Sequence, residues 1–386
     1  MKNYHIIIFI IGGVITQLWI NICFAASDHR TASHDIKVTT FAEGIQSPWG
    51  MKFLPDGRLL VTEKSGQLRL VSATGEVSKA IKVKLPIQDK GQGGLLDVTL
   101  DSDFENNAMI YLSYAKDEDK GPNKGQSRTA VAKGKLSDNK LTDLKTIWQQ
   151  AQTEKGGYHF GSRLVFDSQG YLFITTGDRN YRKDDAQDLS THFGKIVRID
   201  TDGQPAPNNP FINQIDNNTA ALPDIYSYGH RNVQGAYLHP QTGELWINEH
   251  GPRGGDEINR IEAGKNYGWP KITFGINYSG TKITDHTALP GMEQPIHYWD
   301  PSIATSGMLI YSGDAFPNWK GNIFTGALKL MHLNRIALDE NNKVVTEERL
   351  LLDQKSRIRA IEQGPDGHIY VATDSYKGKI LKVSPK

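Results

Sequence analysis

The stretch "GMKFLPDGRLLVTEKSGQLRLV" at residues 50–71 sets the fold. Two runs with apolar residues at alternate positions flank a Pro-Asp-Gly turn, and a Ser-Gly turn leads into a third run. Glycine takes positive φ at little steric cost, so Asp-Gly between period-2 runs predicts a tight strand reversal. Side chains of a strand alternate between its two faces, so "LLVTEK" reads as one strand of a small antiparallel sheet.

The unit recurs along the chain. It returns in "GLLDVTLDSDFENNAMIYLSYA" (94–115), in "GSRLVFDSQGYLFITTGD" (161–178) with "GKIVRID" (194–200) as its later strand, and in "GAYLHPQTGELWINEHG" (235–251). Two further copies are "YSGDAFPNWKGNIFTGALKLMHLNRIAL" (311–338) and "GPDGHIYVATDSYKGKILKV" (364–383). Six copies at irregular spacing predict an all-β, six-bladed β-propeller with four-stranded antiparallel blades, a single domain over 37–385. A β-sandwich is the rival, but it leaves six similar hairpins without a reason. Long helices are not expected; "AQTEKGG" and "TEERLLLDQ" read as a helical turn or a loop.

Composition narrows the function. The chain has 386 residues and a formal net charge of +1, which gives no field for holding a nucleic-acid backbone. Lys2, the apolar run "IIIFIIGGVI" and small residues near Ala25 predict a secretory signal over 1–25, with cleavage at Ala25 or Ala26. An uncleaved anchor is the alternative; a lipoprotein fits poorly, because Ile22 stands where a small residue should precede Cys23. The expectation is a periplasmic protein with no stable membrane association after cleavage. Cys23 is the only cysteine, so the mature chain has no disulfide, cysteine nucleophile or thiolate metal site.

Loops joining propeller strands gather at the channel mouth, where function is expected: 88–94, 154–162, 178–194, 226–235, 248–282, 300–308, 327–332 and 354–360. His159, in "GGYHFGSRLVFD", has the chemistry of a general base, although with 12 histidines a loop residue satisfied by backbone groups is the plainer reading. Arg231 and Asn232 lie between glycines in "YSYGHRNVQG" and offer a carboxylate fork and a donor–acceptor pair; turn chemistry is the competing reading. Arg357 and Arg359 share one side of a strand by the period of two, and Lys329 adds a cation. Four cations at one mouth suit a ligand with several carboxylates. The loop "NEHGPRGGDEINRI" (248–261) lacks a nucleotide-binding or EF-hand pattern. It reads either as a hard-cation site using Asp256, Glu257 and the Tyr267 carbonyl, or as a turn salt-bridged through Arg253 and Arg260.

In order, "QGGLLDV", "HFGSRLVFD", "YGHRNVQG", "HGPRGGDEIN" with "GKNYGWP", and "SRIRAI" followed by "GPDG" resemble the glucose/sorbosone dehydrogenase family, nearest its bacterial soluble aldose sugar dehydrogenase branch. The resemblance covers roughly 37–385. It implies a soluble quinoprotein that uses pyrroloquinoline quinone (PQQ) and Ca²⁺ to oxidise an aldose at its C1 hydroxyl to a lactone, and passes electrons to a soluble acceptor. His159 resembles the base and Arg231 the charge stabiliser. Gln92, Arg231, Asn232, Lys329, Arg357 and Arg359, with His159, resemble the PQQ contacts. Gly251 and Pro252 resemble the carbonyl pair of the cofactor calcium, and Glu257 and Tyr267 look like ligands of a second calcium. One departure stands out: Tyr158 occupies the place where the glucose dehydrogenase branch has an aspartate before the histidine, which leaves the histidine without that orienting carboxylate. The rival functions are a calcium-dependent propeller lactonase and a non-catalytic propeller binding module.

Overall fold

The computed structural model describes residues 27–386 except 138, 217 and 218. The expected signal segment and Cys23 lie outside the described residues.

Six antiparallel sheets surround one axis. The first blade is Pro48–Phe53, Leu59–Glu63, Gln67–Val71 and Ile81–Lys82, from the axis outward. The second runs from Leu95–Leu100 through Met109–Glu118 and Gln126–Ser137 to Lys140–Gln149, and the third from Leu164–Phe166 through Leu172–Thr175 and Lys195–Ile199 to Ile225–Tyr228. The fourth comprises Val233–Leu238, Leu245–Glu249, Asp256–Ile261 and His297–Trp299; the fifth, Thr305–Ile310, Ile323–Ala327, His332–Leu338 and Val344–Leu350. The sixth joins the two ends of the described chain. Ile358–Gln363, Ile369–Thr373 and Gly378–Pro385 are completed by Asp35–Ile45, and Ser27–Arg30 pairs on its outside. Each innermost strand packs against the next, and the sixth returns to the first.

Successive side chains of a strand point to opposite faces, and each face packs on a neighbouring blade, so the middle strands are buried on both faces. Six separate apolar clusters result, one in each gap between neighbouring blades. In the gap between the fifth and sixth blades, Ile36 and Val38 of the closing strand pack with Trp319, Phe324 and Val371.

The fifth and sixth repeats begin earlier than their sequence pattern. Their inner strands, Thr305–Ile310 and Ile358–Gln363, precede the copies read at 311–338 and 364–383. "TSGMLI" is buried at every position, so it shows no two-sided alternation. The segment "TEERL" belongs to the outer strand Val344–Leu350, followed by a single 3-10 turn at Leu352–Gln354, while 151–157 is loop. Among the described residues the only α-helix is the short Phe104–Asn107, and no helix is long and apolar enough to cross a membrane.

The inner strands carry an irregularity that shapes the channel. In the first, second, fourth, fifth and sixth blades the register shifts within the first few residues of the innermost strand. An extra residue at such a bulge turns a side chain out of the normal alternation. Trp49, Gln234 and Arg359 stand at these bulges, and all three line a cavity at one mouth of the channel.

Candidate active site

That cavity, about 220 Å³, is walled by Trp49, Lys64, Gln92, Asn232, His250, Leu328, Arg357, Arg359 and Asp374, among others. Four of these side chains occupy one structural position. Lys64, His250, Leu328 and Asp374 each follow directly on the second strand of their blade.

The charge arrangement is one-sided. Asp374 Oδ2 accepts from Arg357 Nη2 at 2.8 Å and from Arg359 Nη2 at 3.2 Å. Burial alone would raise the Asp374 pKa, but the two guanidiniums outweigh it and hold the carboxyl below its ordinary range. Burial, together with the charge of Arg359, pushes the Lys64 ammonium down. Lys64 Nζ donates to the Gly91 carbonyl at 2.8 Å. His250 is driven to about 3 by burial and by Arg231, His159 and Arg359, so it is neutral in the working range. Its Nε2, and Nε of Arg359, are buried without a hydrogen-bond partner. Three cations against one carboxylate, with unused buried donor capacity on Arg359, form a donor set that fits a polycarboxylate such as PQQ. Lys329 sits beside Leu328, whose carbonyl accepts Arg357 Nη1 at 3.1 Å, but its side chain is exposed at the rim, apart from the cations facing the cavity.

His159 lies next to this wall. Its backbone N–H donates to Gln92 Oε1 at 2.8 Å, and Gln92 N–H donates to the Gly157 carbonyl at 2.7 Å. The backbone at His159 is left-handed, with φ 48°, a conformation costly for a non-glycine residue. Gly177 permits it: a Cβ there would stand 2.2 Å from the His159 carbonyl oxygen.

The orienting carboxylate is Asp178. Its Oδ1 lies 2.6 Å from His159 Nδ1, and its Oδ2 accepts from Trp269 Nε1 at 2.9 Å. Burial raises the Asp178 pKa, yet the His159 hydrogen bond, Arg231 and the Asn180 N–H more than offset it, and the group stays ionised. An ionised acceptor at Nδ1 fixes the tautomer: Nδ1 carries the proton and Nε2 is the free base. Burial and the Arg231 charge lower the His159 pKa, against the pull of Asp178. Tyr158 therefore does not leave the histidine unsupported. The carboxylate comes from the same blade, just past its second strand at the close of "FITTGD", which the antiparallel hairpin returns to the end where His159 lies.

Arg231 and Asn232 tie the histidine to the 248–261 loop. Arg231 Nη1 donates to the carbonyls of His250 at 3.0 Å and Gly251 at 2.7 Å, and its guanidinium lies 5.4 Å from the centre of the Trp269 ring. Asn232 Oδ1 accepts from Gly161 N–H at 3.1 Å. Asp256 is a structural acceptor: it takes the Gly251 and Ala304 N–H groups and the Ser302 hydroxyl. Arg260 pairs with Glu244 and Glu262 rather than with the loop's own acids, and Arg253 is exposed.

Beside Gly251 is a small cavity lined by Glu249, Glu257, Tyr267 and Gly229, among others. Burial and the nearby Glu249 charge raise the Glu257 pKa to about 8. A desolvated carboxylate beside a second one, among backbone carbonyls, suits a hard cation. Pro252 is buried in the same loop. Among the described residues, no group of three or more His, Cys, Asp or Glu side chains is placed to hold a metal, so any cation here must take much of its coordination from carbonyl oxygen.

The larger cavity on the axis, about 380 Å³, opens at the other mouth, between the half-buried pair Lys52–Glu362 and the buried pair Asp97–Arg163. His159 does not line it.

A sequence model described as Glucose / Sorbosone dehydrogenase matches residues 45–382. The chain belongs to this family. The family's aldose sugar dehydrogenase YliI of Escherichia coli (strain K12) is 44% identical over 357 residues, covering 91% of this chain and 93% of that protein. The apo-form crystal structure of the soluble aldose sugar dehydrogenase from Escherichia coli has a TM-score of 0.85 at 43% identity, covering 91% and 100% of the two chains. A PQQ-bound aldose sugar dehydrogenase from Streptomyces coelicolor has a TM-score of 0.73 at 26% identity, covering 93% and 100%. In this chain the cavity and the His159–Asp178 pair lie at the same mouth of the channel.

Proposed function

We propose that this chain is a PQQ-dependent aldose sugar dehydrogenase that converts the C1 hydroxyl of an aldose to a lactone. The observation that carries the reading is the His159–Asp178 pair beside a cavity at the channel mouth whose charges are mostly cationic. The similarity to aldose sugar dehydrogenases, one of them PQQ-bound, supports it.

Arg357, Arg359 and Lys64 would hold the carboxylates of PQQ, with Gln92 and Asn232 at its edge and Lys329 at the rim. Gly251 and Pro252 would offer carbonyls to its calcium, and Glu257 with Tyr267 would hold a second calcium. When bound, PQQ supplies the two-electron acceptor for the hydride of C1, and calcium supplies Lewis acidity. His159 Nε2 takes the proton of the C1 hydroxyl. Asp178 holds the ring and stabilises the imidazolium that forms. Arg231 places positive charge beside the reacting region. The predicted signal over 1–25 would put the reaction in the periplasm, and N-terminal sequencing of the mature chain checks that assignment.

The lactonase alternative needs acidic and amide groups around an axial metal, whereas the cavity's one carboxylate, Asp374, is held by two arginines. Ser227, His230 and Glu249 do line up at 2.9 Å and 2.9 Å, but Ser227 and His230 are wholly buried, so a substrate does not reach that serine. Reconstitution with PQQ and Ca²⁺, followed by an aldose and an electron-accepting dye, tests the proposal. Dye reduction that needs both additions is the expected result; a sugar panel with no reduction and no PQQ binding refutes it.

A further inference from the structure

We propose that Tyr158 and Tyr181 form one aromatic wall that stacks against the outer ring of a saccharide whose reducing-end ring is at His159. This inference rests on the dehydrogenase reading and adds to it the residues that set preference for longer sugars.

Both tyrosines are exposed, at 46% and 63%. They come from different loops, yet they converge. A Cβ built on Gly156 would lie 3.3 Å from Tyr181 Cε2 and 3.9 Å from Tyr158 Cδ2. The wall adjoins the catalytic group: the Tyr158 and His159 rings are 6.5 Å apart at 77°. It also adjoins the cavity, because Gly157, between Gly156 and Tyr158, accepts the Gln92 N–H at 2.7 Å.

The presentation is rigid. Arg179, 1% exposed, donates to the carbonyls of Tyr158 at 2.8 Å, Gly156 at 2.9 Å and Ser127 at 2.7 Å, and lies 3.9 Å over the Phe160 ring. One buried guanidinium thus fixes the loop bearing Tyr158 to the loop bearing Tyr181. Scattered exposed aromatics need no explanation, but two that flank one glycine beside the proposed base, with their loops clamped by one buried arginine, are a built surface. A tyrosine ring offers an apolar face to the C–H face of a pyranose and a hydroxyl to its rim, with little side-chain entropy to lose. His159 is buried and the tyrosines are outside it, so the ring that reacts is inside and the ring that stacks is the next one out.

The test compares kcat/KM for maltose and for glucose in the holoenzyme and in Tyr158→Ala, Tyr181→Ala and the double variant. The double variant should lower the maltose-to-glucose ratio by about three- to tenfold, through KM, the scale of one aromatic contact. Tyr158→Phe and Tyr181→Phe should keep the ratio, because they keep the stacking face. Saturation-transfer NMR of maltose on His159→Ala holoprotein gives a readout without turnover: the non-reducing ring should receive saturation, and should lose it when both tyrosines are replaced by alanine. A protein that oxidises glucose and maltose with an unmoved ratio in the double variant overturns this inference alone. A protein that oxidises neither sugar overturns the dehydrogenase reading and this inference together.

Discussion

At the residue scale, the proposed proton acceptor is His159, whose Nδ1 faces the Asp178 carboxylate and whose Nε2 is left as the free base. Asp178→Asn keeps the shape of the site but removes the charge that selects the tautomer, so kcat should fall by about 100-fold or more while PQQ affinity, read by spectral titration, stays near wild type. The pH dependence follows from burial. His159 has a pKa below its ordinary value of 6.5, and it must be neutral to act, so the acid limb of kcat/KM should have its midpoint below that value. Stability carries the same sign. The His250 pKa is lowered in the folded protein to about 3, so the unfolded chain binds that proton first. The contribution of His250 is present above pH 6.5 and is lost as pH falls from there towards about 3, and thermal melts across that window should show Tm dropping.

At the element scale, bulges and buried anchors place the groups that the strands alone would not. Arg179→Ala would leave the Ser127, Gly156 and Tyr158 carbonyls without their donor, and should cost about 2–4 kcal/mol in chemical denaturation. These features mark the limit of what the sequence discloses. Alternation and Asp-Gly turns reveal the hairpins, because period 2 and positive φ are local properties. The loops bearing His159, Arg231 and Arg357 are legible for the same reason, as interruptions of the pattern. Asp178 is not, because its partner is 19 residues away and the contact depends on the return of a whole strand pair. Lys64, His250 and Asp374 form an intermediate case. Each follows the second strand of its repeat, so the repeat itself puts them at one structural position. The strand period places Arg359 beside Arg357, and the two do meet on Asp374, but the bulge between Ile358 and Ala360 is what turns Arg359 to the axis.

At the scale of the whole molecule, the ring holds the mouth's loops in register, and its closure depends on Asp35–Ile45 pairing with Gly378–Pro385. Ile36, fully buried in the gap between the fifth and sixth blades, should cost about 2–4 kcal/mol when cut to alanine. Because the closing strand is far from His159 in the chain but completes the same ring, the loss should appear in global unfolding rather than in one loop. The central claim is that this closed ring presents a cofactor cavity and a separate proton acceptor at one mouth. It is tested most directly by turnover per bound PQQ in wild type and in His159→Ala, both reconstituted with PQQ and Ca²⁺ and given glucose and dye. The account predicts equal PQQ binding and a turnover lower by about 10²- to 10⁴-fold in the variant. Equal turnover per bound PQQ in the two proteins would contradict it.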